Sequence, residues 1–173
     1  MPAFIKYSLN LLKPIIRIAL FFLAQTAGAE QTQILFLQHG TIAEAVLDEQ
    51  ILQISFRGKN QIQRVALDIP AMANLTSRQI KGQKNPDIEI WHLDEGMGTY
   101  AIHRLFAFDQ KTLTFIERTA NCGDAFVNLL PQGKRADLVY SVFDTQAGAW
   151  QQCRESLSAK FRDHDSPLRC RCA

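Results

Sequence analysis

The side chains in this chain that could carry chemistry are its four cysteines, four histidines and the carboxylates close to them. Cys122 sits in Asn-Cys-Gly-Asp, downstream of His92 and His103. A thiolate with an imidazole as its base is the pattern of a nucleophilic catalyst. His92 is followed closely by Asp94 and Glu95, and His103 completes a set suited to acid–base work in a small hydrolase, or to a cation. Asp163-His164-Asp165, then Cys170 and Cys172, combine imidazole with soft thiolates and suit Zn²⁺ or Cu⁺.

Each set also has a plainer reading. An even number of cysteines in an exported chain suggests disulfides, which would consume the thiolates that catalysis or metal binding needs. Four cysteines allow three connectivities. Joining Cys170 to Cys172 would close a very small ring, which disulfide geometry disfavours. The expectation is therefore that Cys122 and Cys153 each take one member of the Cys-Arg-Cys pair. Asp94 has a second explanation as the opener of a turn, and His103 as a packed, hydrogen-bonded core residue. No phosphate-cradling glycine loop, no Gly-x-Ser-x-Gly and no His-Glu-x-x-His occur. No cofactor is called for, and the balance favours a non-enzymatic role.

The stretch from Ile88 to Ile116 must position most of these residues. Leu93-Asp94 and Phe108-Asp109 are each followed, six residues after the aspartate, by an aromatic, Tyr100 and Phe115; Phe143-Asp144 is followed in the same way by Trp150. An aspartate that opens a turn through its side chain, between a large residue and an aromatic, is a β-hairpin signature. The hairpin resembles the one recurring in kelch-type β-propeller repeats. The three copies are unequally spaced and lack the kelch diglycine, and the chain is short for four blades of about 40 residues. The resemblance thus implies an antiparallel meander.

Other segments agree. Gln33–Gln38 reads as a short apolar strand. Leu52, Ile54 and Phe56 alternate with polar residues, and Val65, Leu67 and Ile69 do so after the Gly58-Lys59-Asn60 turn, giving a hairpin. Both faces of Thr99–Phe108 are largely apolar, as in a central strand covered on each side. Residues 70–87 read as the long surface connection, where Ala71–Lys81 could hold a short helix; Asp124 could cap another through Leu130; and after Trp150 a short strand is expected to pass into an amphipathic C-terminal helix ending near Asp163. The last rests on Trp150, Cys153, Leu157 and Phe161, which fall on one helical stripe and place Trp150 in the core.

The N-terminus sets the compartment. Lys6, Lys13 and Arg17 precede the apolar run Ile18–Ala24, no acidic residue comes before Glu30, and Ala27-Gly28-Ala29 supplies a cleavage site. This is the pattern of a secretory signal peptide over residues 1–29. A retained membrane helix needs about 20 apolar residues, and Arg17 interrupts this run. Cleavage leaves 144 residues, 30–173, enough for a single β-rich domain. The leader holds three of the 19 basic residues and none of the 17 acidic ones, so 16 remain against 17 and the mature charge is −1. Such a chain lacks the basic footprint of a nucleic-acid binder and, once cleaved, a stable membrane anchor.

The expected fold is mainly β, an antiparallel meander forming a small sandwich or short barrel with a C-terminal helix and a disulfide-tied tail. The expected function is that of a periplasmic or secreted binding protein. It would recognise another macromolecule, a protein in particular, as an enzyme inhibitor or immunity-type partner does. The alternatives are a small secreted hydrolase using His92, Asp94 and His103, and a metal-handling protein using His164, Cys170 and Cys172.

Overall fold

The computed structural model describes residues 30–70, 72–94, 96, 100–130, 137–157 and 171–172. The signal-peptide segment, Glu95, His164, Cys170 and the Phe161 end of the expected C-terminal helix lie outside them.

Two antiparallel sheets make up the fold, a β-sandwich. The first contains β1 (Gln31–Phe36), β2 (Ile42–Asp48), β3 (Ile51–Phe56) and β4 (Ile62–Ala66), paired in chain order. The second and wider sheet contains β5 (Asn74–Arg78), β6 (Asp87–Leu93), β7 (Ala101–Asp109), β8 (Thr114–Glu117), β9 (Phe126–Val127), β10 (Asp137–Asp144), β11 (Ala149–Ser156) and β12 (Arg171–Cys172). Its order is β12-β11-β10-β9-β7-β6-β5. Strand β7 is the pivot. Its first half pairs with β9 through Ile102 and His103, and its second half pairs with β8 from Phe106 to Asp109.

The hairpin turns form through local aspartate chemistry. Asp109 Oδ1 accepts the backbone N–H of Lys111, and Oδ2 accepts the Thr112 hydroxyl, both at 2.9 Å. Asp144 Oδ1 accepts the N–H groups of Gln146 and Ala147 at 2.8 and 3.1 Å. Asp94 Oδ1 accepts Gly96 N–H at 3.3 Å, while the Asp94 N–H closes the loop on Tyr100 O at 2.7 Å. Phe108 then pairs with Phe115 across one ladder, and Phe143 with Trp150 across another.

The wide sheet is covered on both faces, but by different partners and over different widths. On one face Leu35, Leu52, Ile54 and Phe56 of the first sheet pack on Leu75, Ile88, Ile90, Phe106 and Phe115. All of these wide-sheet residues come from β5 to β8. On the other face Leu105, Phe126, Leu138, Tyr140 and Cys153 form a second cluster with Ile80, Cys122 and Leu129 from the loops.

Glutamine side chains close the seams of the first sheet. Gln31 Nε2–H donates to Ala73 O and its Oε1 accepts Leu75 N–H, both at 2.7 Å. Gln63 does the same to one residue, donating to Phe115 O at 2.7 Å and accepting Phe115 N–H at 2.8 Å. A carboxamide has one acceptor and one donor side by side, so it can stand in for a missing neighbouring strand. The first sheet is thereby clipped to β5 at one side and β8 at the other, and the β10–β12 end lies beyond it.

The expected helices are corrected. Residues 74–78 form β5, because five consecutive pairs with β6 and burial of Leu75 outweigh a weak local preference. Phe126 and Val127 form β9, held by Tyr140, whose ring meets the Phe126 ring edge-on at 5.0 Å. The strand expected to open at Trp150 runs over residues 149–156 with eight registered pairs to β10, so no helix has begun by Ser156, and the rest of the expected C-terminal helix lies outside the described residues. The apolar spacing that suggested a helical stripe is overridden by period-two burial, in which Cys153 and Glu155 are inside and Trp150, Gln152 and Arg154 outside. Trp150 is accordingly 41% exposed rather than core.

Candidate functional site

The buried carboxylates and His103 are paired with their neighbours, while Arg78 Nε in the same cluster is buried without a hydrogen-bond partner among the described residues. Glu89 accepts from Arg78 Nη2 at 2.5 Å and lies 2.8 Å from His103 Nδ1; Thr76 Oγ1–H reaches its second oxygen at 3.3 Å. The Trp91 ring stacks on the imidazole with centroids 6.3 Å apart. Burial penalises the charge on Glu89, but the hydrogen bonds from His103 and Arg78 outweigh it and hold the carboxyl below its ordinary value. His103 is buried, and its partner is a carboxylate already neutralised by arginine. This is an internal ion cluster at the face of the second core.

The hydrolase candidates do not converge. His103 registers opposite Trp91, whereas His92 registers opposite Ile102, so the two histidines point to opposite faces of the sheet. Asp94 is exposed in its turn and bonded to Gly96 N–H. Cys122 is disulfide-bonded and offers no thiolate, its partner cysteine lying outside the described residues. Cys172 is joined to Cys153, which removes its sulfur from any metal set. Among the described residues no group of three or more histidines, cysteines and carboxylates is placed to hold a metal ion.

Two further carboxylates serve packing. Asp87 receives Arg118 Nε–H at 2.6 Å, and Arg118 also donates to Gln83 at 2.7 Å. Burial nonetheless pushes Asp87 above its ordinary value, against the pull of the guanidinium. A hollow of about 260 Å³ opens beside this pair, lined by Lys84, Asn85, Ala107 and Phe108 as well. Its central charges are already spent on each other. Glu155 accepts the Tyr140 hydroxyl at 2.9 Å and both the N–H and the side-chain amide of Asn121, while Tyr140 Oη accepts Cys122 N–H at 3.0 Å. Burial first, and then the adjacent Glu155 charge, push the phenol upward. This network seats the Cys122 loop on the sheet.

The outward groups tell a different story. Trp150 Nε1–H donates to the Tyr100 hydroxyl at 3.0 Å, with ring centroids 4.7 Å apart. Phe143 meets the other side of Trp150 at 5.5 Å, nearly edge-on, and is itself 47% exposed. Three large aromatics are thus locked together at the surface, on tips of the first and third hairpins. Strand alternation continues the Trp150 face through Gln152 and Arg154. Arg171 of β12 stands beside Arg154. None of the residues of β9, β10 or β11 belongs to the core under the first sheet, so among the described residues the first sheet does not cover this part of the wide sheet.

The outer face of the first sheet also exposes apolar groups, Ile34, Phe36, Ile51 and Ile62. There they are interleaved with polar groups, as in the cross-strand row Ile34, Glu44, Ser55, Ile62. Exposed apolar side chains scattered in this way are ordinary. The cluster of Tyr100, Phe143 and Trp150 differs in being contiguous and mutually fixed. The helical stripe through Trp150, Cys153, Leu157 and Phe161 places Trp150 in the core, whereas the strand sets it on the face opposite Cys153.

Comparison with protein-family models, characterised proteins and solved structures gives no match to the chain.

Proposed function

We propose that the chain is an exported binding protein that recognises another protein through the Tyr100–Trp150–Phe143 surface, as an enzyme inhibitor or immunity-type partner does. The observation that carries this reading is an interlocked aromatic cluster on the wide sheet beyond the first sheet, with Trp150 and Phe143 exposed and Tyr100 half-buried beside them. Tryptophan and tyrosine dominate the energetics of protein interfaces, because they offer large contact area with few torsions to freeze. Here those torsions are already restrained by the Trp150–Tyr100 hydrogen bond. The intramolecular disulfide supports an oxidising compartment and hence export. Among the described residues no helix is long and apolar enough to cross a membrane.

Affinity capture from the exported fraction of the source cells tests this reading. The wild-type domain should retain a partner that a Trp150→Ala/Phe143→Ser variant of unchanged melting temperature does not. Retention of the same partner by both proteins would place the contact elsewhere.

A further inference from the structure

Strand β11 presents Trp150, Gln152 and Arg154 to solvent on one face, while Cys153 and Glu155 point into the second core. At about 3.3 Å per residue, Trp150 and Arg154 stand roughly 13 Å apart along that face. The last strand, β12, then adds one more cation. Its register sets Cys172 opposite Cys153 and Arg171 directly opposite Arg154. Like charges facing each other across an antiparallel ladder disfavour pairing. Here the adjacent Cys153–Cys172 disulfide holds the two strands in that register covalently. Arg154 is about half exposed, and among the described residues its ion-pair partner, Asp137, lies at 3.9 Å, the limit of such a pair. Arg171 is exposed as well. The fold therefore holds two arginines directly opposite each other across the ladder, on the strand that carries Trp150 and its partner, at some expense in stability.

We infer that the partner of this surface is a protein segment that places an apolar side chain on the Tyr100–Trp150–Phe143 cluster and paired carboxylates on Arg154 and Arg171. This rests on the reading of the aromatic cluster as the contact surface and adds the chemistry of what it contacts. A planar guanidinium matches a carboxylate in the fork geometry that arginine makes best, so two arginines paired across neighbouring strands suit two carboxylates. Arginine, tryptophan and tyrosine are also the types that concentrate binding energy in protein interfaces. A nucleic acid or an anionic membrane would call for an extended basic field. The mature chain carries a charge of −1, 16 basic residues against 17 acidic, and Asp137 and Asp144 flank the arginine and aromatic ends of the ridge.

The test uses the oxidised mature protein and a fluorescein-labelled peptide carrying one leucine, a short glycine spacer and two adjacent glutamates. The wild type should bind it in a salt-sensitive manner. Arg154→Gln/Arg171→Gln and Trp150→Ala should each weaken binding about tenfold or more, and a glutamine-for-glutamate peptide should bind the wild type as weakly. Both arginines are exposed and face each other, so the double variant should melt no lower than the wild type, which serves as the folding control. If Trp150→Ala weakens binding and the arginine pair is silent, the acidic partner is wrong while the aromatic surface stands. If neither substitution matters, or the wild type does not bind, both readings fall. Tighter binding to phosphatidylglycerol vesicles or to a DNA duplex than to the peptide also overturns the inference, in favour of a general polyanion site.

Discussion

Trp150 and Tyr100 are joined by a hydrogen bond of 3.0 Å, although 50 residues of chain separate them. The bond ties the tip of the first Asp–aromatic hairpin to the tip of the third, and it does so at the surface. Because both side chains keep access to solvent, their loss should be felt in recognition more than in folding. Tyr100→Phe should cost roughly 0.5–1 kcal/mol, the net worth of one hydrogen bond. Phe106→Ala, in the core between the sheets, should cost about 3–5 kcal/mol. Trp150→Ala should fall well below the Phe106 value. Urea unfolding of the three variants orders them, and a Trp150 loss equal to that of Phe106 would return Trp150 to the core.

Gln63 provides a second check. Its amide serves both polar groups of Phe115, which face a sheet edge with no strand beside it. Gln63→Leu leaves that N–H and C=O without partners in a partly buried seam, and about 1–3 kcal/mol should be lost. Hydrogen exchange at the Phe115 amide should accelerate in the variant more than exchange at Ile54, in the middle of β3.

Acid should weaken the fold partly through Glu89. Its carboxyl is held below the ordinary value of 4.5 in the folded state. The unfolded chain therefore takes up the proton first. The stabilisation is present above pH 4.5 and is lost as pH falls through the folded value. Glu89→Gln should flatten this part of the pH profile of unfolding free energy. Asp87, raised by burial, works with the opposite sign: it favours the folded state only below its own folded value, where it holds a proton that the unfolded state has released. Asp87→Asn should accordingly steepen the rise of stability with pH through the acid range. The same slope in the wild type and both variants would remove these two groups as the source.

Arg78 tests the cluster from the other side. It donates to Glu89 at 2.5 Å from a site where both side chains are largely buried. Arg78→Met strands that charge, and a loss of about 3 kcal/mol is expected. The double variant Arg78→Met/Glu89→Gln should recover part of it.

The Cys153–Cys172 bond spans 19 residues and holds β12 on β11. Cys172→Ser should destabilise the domain by roughly 3 kcal/mol in the chain-entropy model. It should also weaken peptide binding, because Arg171 no longer has a fixed place beside Arg154. N-terminal sequencing of the exported protein provides a separate check on compartment, with Glu30 expected as the first residue.

What the sequence alone determined is the part of this protein governed by neighbours in the chain. Asp94, Asp109 and Asp144 open turns because a carboxylate two or three residues from a free N–H finds it whatever the rest of the molecule does. The same holds for the alternation of Leu52, Ile54 and Phe56, and so for the β class. Strands β5 and β9 escaped because they exist through their neighbours: β5 through five pairs with β6, β9 through a two-residue bridge between β7 and β10. The separation of His92 from His103 follows from a cross-strand register that no local pattern encodes. The candidate surface was hidden for the same reason. Alternation along β11 divides Trp150 and Arg154 from Cys153 and Glu155, but which set meets water depends on how far a four-stranded sheet reaches across an eight-stranded one. That reach ends at β5 to β8, where Gln31 and Gln63 clip the two sheets together, and so only the tertiary structure turns Trp150 from a core residue into an exposed one.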